Sequence, residues 1–324
     1  MSSTGQLRTS KKDTLRSPVF IVGPLRSGTT LLRLLLDHHG SISIFHELEG
    51  AVSQAVGDEW PALPAYYEFI ENDRQMQDLA FAVDRSLSYE ELVKSFLSQA
   101  YDRNPKPTIG AAVHSRMDLL PRLWPDARFI HLLRDPRDVS RSCIGMGWVG
   151  NVHEGVHMWI EAERRWDALR RLVDDANTIE VRFESLVREP EASLTRVCDW
   201  LQVHFDASML DIENDTTYSR PDASYAEQWK TKLSQREIRW VEYQSAQMLQ
   251  DRGYHLSGNP LQPPSLTELL YIRIQNRVHR VAHNVRRWGL GTWLGFVVAK
   301  RTGPRALRNH FTNRVNAANR KHLK

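Results

Sequence analysis

The chain has 324 residues, 41% hydrophobic and 25% charged, with a formal net charge of +4. This is the make-up of a globular protein long enough for one large domain or two small ones, and it excludes a disordered or fibrous chain. Its two cysteines, Cys143 and Cys198, exclude a disulfide framework. Cys198 sits among apolar neighbours and is expected in the core, and the sparse cysteines imply a reducing cytoplasm.

Residues 1–17 are polar, hold no apolar run and read as a flexible leader without a secretory signal. Val19–Gly23 reads as a buried strand. It runs into Pro24-Leu25-Arg26-Ser27-Gly28-Thr29-Thr30, a turn with glycines at 23 and 28, and then into a helix over 29–39 that is rich in leucine. Glycines allow a tight loop, and the free N–H groups of a helix start bind an anion. The spacing Gly23-x-x-x-x-Gly28-Thr29-Thr30 copies the phosphate loop of nucleotidases except that Thr29 stands where their lysine would be. The basic residue lies inside the loop, as Arg26. This weakens a kinase or nucleotidase reading and leaves room for a single 5′-phosphate.

Gly40 is expected to end the helix. Residues 41–45 alternate as a short strand that delivers His46 and Glu47 just beyond its end. Residues 50–107 are broken by Trp60-Pro61 and Leu63-Pro64, with a helix over 89–101, and read as an insertion over the active site. A strand over 109–113 leads to His114-Ser115-Arg116, and a short helix follows over 119–124. Residues 127–133 form a further strand ending at Arg134. Asp135 is placed to cap the next helix, with Pro136 in its first turn. A long helix over 153–173, a strand over 178–183 and helices over 189–201 and 234–251 complete the body; the last has a capping box in Ser234 and Glu237. Strands alternating with helices imply an α/β fold with a central, mostly parallel sheet and helices on both faces. Ligands in such folds bind beyond the carboxyl ends of the strands, where the Gly23 loop, His46-Glu47, His114 and Arg134 all fall.

Arg134 and Ser142 are eight residues apart, one at a strand end and the other about two turns into the next helix. Together they can hold a second phosphate from two sides. An arginine that merely pairs with Asp135 or Asp138 is the alternative. With the loop, these features resemble the sulfotransferases that use 3′-phosphoadenosine 5′-phosphosulfate (PAPS), nearer the bacterial and tyrosylprotein branch. Residues 24–32 resemble that family's 5′-phosphosulfate loop, and residues 129–139 with Ser142 its 3′-phosphate motif. The segment Val181-Arg182-Phe183-Glu184-Ser185-Leu186 resembles its later strand, which would put Phe183 near adenine. Gln228-Trp229-Lys230-Thr231-Lys232 resembles its tryptophan–basic segment.

The resemblance implies a three-layer P-loop-like fold over residues 18–264, PAPS as donor and its desulfated product PAP, a hydroxylated acceptor, and no metal. It implies donor binding by Arg26, Ser27, Gly28, Thr29, Thr30, Arg134, Ser142, Phe183, Trp229 and Lys230. Arg26 also steadies charge on the bridging oxygen. A glutamate lies a set distance after the loop arginine in the tyrosylprotein branch and acts as base. Here the residue 21 positions after Arg26 is Glu47. Nearby phosphates would raise a carboxylate's pKa and suit it to accept a proton. His114 and His46 are the rival bases, and His114-Ser115-Arg116 departs from the lysine-containing segment of many relatives. A kinase, or a non-catalytic membrane-bound scaffold on the same fold, are the competing functions.

Residues 265–324 carry thirteen Lys/Arg against one acid, Glu268, so the tail is +12 and the rest of the chain −8. Apolar residues at 270, 274, 278 and 281 follow helical spacing beside arginines, and residues 288–299 are apolar. That run is too short to span a bilayer and fits a basic amphipathic extension lying on an anionic membrane, here the inner face, with the chain's own body or a second subunit as the competing partner. No nucleic-acid module accompanies the charge.

Overall fold

The computed structural model describes residues 10–214 and 220–321. In chain order the elements are α1 (Lys11–Arg16), β1 (Val19–Val22), α2 (Thr29–Asp37), β2 (Ile42–Glu47), α3 (Leu63–Asn72), α4 (Arg74–Leu79), α5 (Tyr89–Arg103), β3 (Thr108–Val113), α6 (Leu120–Leu123) and β4 (Arg128–Leu133). They continue with α7 (Pro136–Gly145), α8 (Val152–Arg170), β5 (Thr178–Arg182), α9 (Phe183–Arg188), α10 (Pro190–Leu201), α11 (Trp229–Lys232), α12 (Gln235–Asp251), α13 (Leu266–Trp288), α14 (Leu290–Thr302) and α15 (Arg305–Arg320). The described residues divide into two compact units. The first comprises 10–63, 81–134 and 162–226; the second comprises 64–80, 135–161 and 227–321.

The first unit is built on a sheet of order β2-β3-β1-β4-β5 with every neighbouring pair parallel. β1 is buried along its whole length, which is why it reads as an unbroken apolar run. Val19 and Ile21 face a core shared with Leu32, Leu35 and Leu36 of α2, Leu186 of α9 and Leu194 and Val197 of α10. On the opposite face Phe20 meets Trp124 and Phe129 at ring-centroid distances of 5.1 and 6.0 Å. Trp166 stacks on His131 of β4 on that side. The sheet is thus covered on both faces, as the alternation of elements requires.

Two local outcomes differ from the sequence reading. Residues within the expected flexible leader form α1, which Lys11 joins to Asp102 at 2.6 Å and Thr14 Oγ1 ties to the Pro107 carbonyl; residues 1–9 lie outside the described residues. α2 ends at Asp37, before Gly40. Its end is gathered by Lys106, whose ammonium donates to the carbonyls of Asp37, His39 and Ile42 at 2.7, 3.0 and 3.0 Å.

In the second unit α7 opens as its sequence dictates, with the Asp135 carboxylate accepting from the Arg137 N–H and Pro136 in the first turn. α12 and α13 both begin with full capping boxes, Ser234–Glu237 and Ser265–Glu268. The described part of the tail consists of three helices, α13, α14 and α15, parted at Gly289 and at Gly303-Pro304. α13 and α15 join through Trp288 Nε1 and Asn319 Oδ1, 3.0 Å apart. α15 also reaches α3 and α4: Arg305 pairs with Glu68 at 3.0 Å, and Arg320 with Asp78 at 2.7 Å.

Candidate functional site

The loop after β1 is shaped by backbone that only particular residues tolerate. Gly23 and Gly28 have φ of 149° and 100°, and Arg26 takes a left-handed φ of 71°. A Cβ on Gly28 would overlap the ring of Phe183. Ser27 is fully buried, and its hydroxyl donates to the Pro24 carbonyl at 2.7 Å, so it holds the loop's own turn closed. Thr29 is buried at the start of α2, Thr30 is half-buried and Arg26 is exposed. No side chain caps α2. Its first N–H groups therefore face the loop as an anion-binding helix start.

Arg134, just beyond β4, grips that loop. Its Nη1 donates to the Arg26 carbonyl and its Nη2 to the Tyr225 carbonyl, both at 3.0 Å. Its guanidinium lies 4.0 Å from the centroid of the Phe183 ring. Phe183 is the first residue of α9, buried between Gly28 and Arg134, whereas the sequence reading had it end a strand.

A second cluster forms at the ends of β1, β2 and β3. The β2–β3 register runs Phe45 opposite Ala111 and Glu47 opposite Ala112, so His46 is the extra residue of a bulge. The bulge leaves His46 exposed and turns Glu47 toward His114. Although the side chain reaches solvent, the protein packed around the ring strips part of its hydration, and this, then the Arg33 charge, lowers the His46 pKa. Glu47 is the last residue of β2, inside the strand and not beyond it. Its Oε1 is 3.5 Å from His114 Nε2, while His114 Nδ1 donates to the Gly23 carbonyl at 3.1 Å. His114 is buried, which by itself lowers its pKa. The contact with Glu47 and the charges of Glu49 and Glu47 outweigh burial and raise it overall.

Glu49 was not singled out by the sequence reading, yet it orders this cluster. Its carboxylate accepts from the His114 N–H at 2.8 Å and the Ser115 N–H at 2.9 Å, and also binds the Ser115 hydroxyl. The Glu47-Leu48-Glu49 spacing is the available signal: two acids at a strand end, which here meet the side chain and the backbone of the same residue, His114. His38 and His39 are structural. The His39 ring accepts from the Ser41 N–H and donates to the His204 carbonyl, both at 2.9 Å.

The remaining expected donor residues lie in the second unit. Ser142 is half-buried about two turns into α7. Trp229 opens α11, and its N–H donates to Asp138 Oδ1 at 2.7 Å. Its ring lies 3.6 Å under the Arg137 guanidinium. The Trp229 indole Nε1 is buried without a hydrogen-bond partner among the described residues. Lys230 pairs with Glu227 at 2.6 Å on the surface. Arg137, which received no role from the sequence, is itself buried. It is bound to Asp135 at 2.6 and 2.9 Å and to Glu242 at 2.7 Å.

The family model described as "Sulfotransferase family" matches residues 18–207. The omega-hydroxy-beta-dihydromenaquinone-9 sulfotransferase of Mycobacterium bovis is 27% identical over 243 residues, covering 56% of this chain and 61% of that protein. The chain thus spans less than two thirds of the length of that relative. Protein-tyrosine sulfotransferase A of Caenorhabditis elegans is 24% identical over 277 residues, covering 75% of this chain and 68% of that protein. Among solved structures, the sulfotransferase domain of the Synechococcus PCC 7002 olefin synthase superposes with a TM-score of 0.56 at 22% identity. The match covers 74% of this chain and 95% of that one, and it supports the same fold. The family model covers more than half of the chain, and through it this protein belongs to the sulfotransferase family.

Proposed function

We propose that the chain transfers the sulfuryl group of PAPS to a hydroxyl acceptor, with residues 18–264 as the catalytic domain and residues 265–324 as an extension. The observation that carries the reading is His114, which touches Gly23 of the phosphate loop on one side and Glu47 on the other. It links the expected donor cradle to a carboxylate that can take a proton. The uncapped start of α2 supports a ligand rich in acceptor oxygens.

In this reading PAPS supplies an activated sulfuryl group. Glu47 removes the proton of the acceptor hydroxyl as its oxygen attacks sulfur, and His114 orients Glu47. The loop N–H groups and Arg26 steady the charge that grows on the departing phosphate oxygen. Arg134 and Ser142 hold the 3′-phosphate, and Phe183, Trp229 and Lys230 complete the nucleotide site. The acceptor is a carbohydrate, glycolipid or other small hydroxylated molecule. The relatives named above take, by their names, a hydroxylated menaquinone and protein tyrosine. No helix among the described residues is long and apolar enough to cross a membrane. The basic tail is read as resting on an anionic membrane surface at the cytoplasmic face, which suits a lipid-borne acceptor.

The test is a thermal-shift series with PAP, PAPS, ADP and ATP·Mg. A ligand at about 100 times its Kd adds about 2.7 kcal/mol of stability. PAP and PAPS are expected to shift the transition, and labelled PAPS to pass its sulfate to a hydroxyl compound. Tighter binding of ATP·Mg than of PAP would instead favour a kinase. Arg134→Ala is expected to weaken PAP far more than adenosine 5′-phosphate; equal losses would remove the 3′-phosphate role.

A further inference from the structure

Leu266, Leu270, Ile274 and Val278 recur every four residues along α13 and are 85, 59, 54 and 57% exposed. An amphipathic helix on a protein surface normally turns such a row inward. α13 does the reverse, because its inward side is fastened by other contacts. Ile272 is buried there, its carbonyl accepting from Asn151 Nδ2 at 2.9 Å. Asn276 Oδ1 accepts from the Gly150 N–H at 2.7 Å, and Glu268 is held by Arg239 and the Ser265 N–H. At about 100° per residue, Arg273, Arg277 and Arg280 run along one edge of the apolar row, and all three are exposed.

α14 repeats the pattern on a smaller scale. Leu290, Leu294 and Val298 are exposed four residues apart, with Lys300 and Arg301 following. Its other side is spent on packing: Phe296 meets the Trp288 ring, Gly295 lies against Phe311, and Thr292 and Ala299 are buried. The apolar sequence run over 288–299 is therefore partly an internal contact. α13 carries the larger open face.

We propose that α13, with the exposed row of α14, lies on the surface of an anionic phospholipid bilayer, its leucine, isoleucine and valine side chains entering the headgroup boundary. This deepens the reading of the tail given above by naming the face that makes the contact. The charge selects the partner. The tail's thirteen Lys/Arg stand against one acid of its own, Glu268, which Arg239 already holds; Arg305 and Arg320 pair with Glu68 and Asp78, while Arg273, Arg277 and Arg280 beside the apolar row are exposed. A two-fold contact with a second copy would set the same arginine rows against each other. A nucleic acid would satisfy the arginines but leave an aliphatic row without bases to stack on it, since stacking platforms are aromatic. An aliphatic row edged by arginines is what an anionic lipid interface accepts, the long stems reaching past it to the phosphates.

The experiment is flotation of the full chain with vesicles of phosphatidylcholine alone and of equimolar phosphatidylcholine and phosphatidylglycerol. Binding is expected only to the anionic vesicles and is expected to fall with added salt. Leu270→Glu with Ile274→Glu should abolish it. Arg277→Gln, an exposed change that leaves the packing intact, should weaken it about fivefold, equivalent to about 1 kcal/mol. The thermal shift by PAP should be unchanged in both variants. Failure to float, equal binding to both vesicle types, or unaltered binding by Arg277→Gln would overturn the proposal. So would a dimer in sedimentation that the Leu270→Glu, Ile274→Glu variant dissociates, since the face would then belong to a second copy. Loss of PAP binding by the unaltered chain would count against the donor reading alone, because flotation is read without nucleotide.

Discussion

Glu47 Oε1 lies 3.5 Å from His114 Nε2, so the two side chains that compete in the sequence as general base are partners in the fold. Because His114 Nδ1 donates to the Gly23 carbonyl, a neutral ring would turn the Nε2 lone pair toward the carboxylate. Protonation makes both ring nitrogens donors, and it places a cation beside Glu47. Glu47→Gln is expected to lower kcat by about 10²–10⁴ while leaving PAP affinity unchanged. His114→Gln is expected to cost less, because water can still reach a Glu47 side chain that is 37% exposed. Steady-state kinetics paired with PAP titration separates the two. A larger kcat loss for His114→Gln than for Glu47→Gln would make His114 the base.

Gly28 and Phe183 form a second dependency. Gly28 has φ of 100°, and an added Cβ would overlap the Phe183 ring. Gly28→Ala is expected to destabilise the first unit by about 1–3 kcal/mol and to weaken PAP binding, since the loop must leave its left-handed turn or push the ring aside. Adding Phe183→Leu should recover only the steric part. Denaturant melts of both single variants and the double variant measure the coupling. Full additivity would mean that the ring and the loop do not meet.

Much of the fold is legible in the chain because its signals are local. Continuous apolar runs mark β1, β3 and β4, Asp135-Pro136 marks the start of α7, and Ser234 with Glu237 marks α12. What stayed hidden depends on single long-range contacts, which leave no periodic trace. Nothing near Asp37 announces that Lys106 will gather the end of α2. The bulge at His46 depends on the partner strand's register. Phe183 follows β5 without a break, so alternation cannot tell a last strand residue from the first residue of α9. Arg134 was read as a phosphate ligand from its spacing to Ser142, but its bonds to the Arg26 and Tyr225 carbonyls join residues about 100 positions apart.

Arg137 supplies a stability prediction of another kind. It is buried with Asp135 and Glu242, both acids also being buried, and it lies over the Trp229 ring. Removing the cation leaves two carboxylates in a dry site. Arg137→Ala is expected to cost about 3–5 kcal/mol. Glu242→Gln should cost less, because the amide oxygen can still accept from Arg137 and from the Ser257 N–H that Glu242 now binds at 2.8 Å. Chemical denaturation ranks the two. Equal costs would show that the charge of Glu242 matters as much as that of Arg137.

His131 makes stability pH-dependent, and the sign follows from its neighbours. It is fully buried on β4, with Nε2 3.1 Å from Glu163 and Nδ1 3.5 Å from Glu180, and its ring stacks on Trp166. Burial alone would lower its pKa, but the charge and hydrogen bond of Glu163, then those of Glu180, raise it overall. A histidine with a raised folded pKa binds its proton more tightly in the native state than in the unfolded one. Its contribution is therefore complete below the unfolded value of about 6.5 and is lost as the pH rises through the folded pKa. Glu163→Gln removes the larger electrostatic partner. The variant is expected to be less stable than the wild type at pH 6, with the gap narrowing as the pH rises toward 9 (about the span over which such a histidine discharges). Urea melts at a series of pH values measure this. A gap that stays constant over that range would mean that His131 is neutral in the native protein and that Glu163 acts through packing alone.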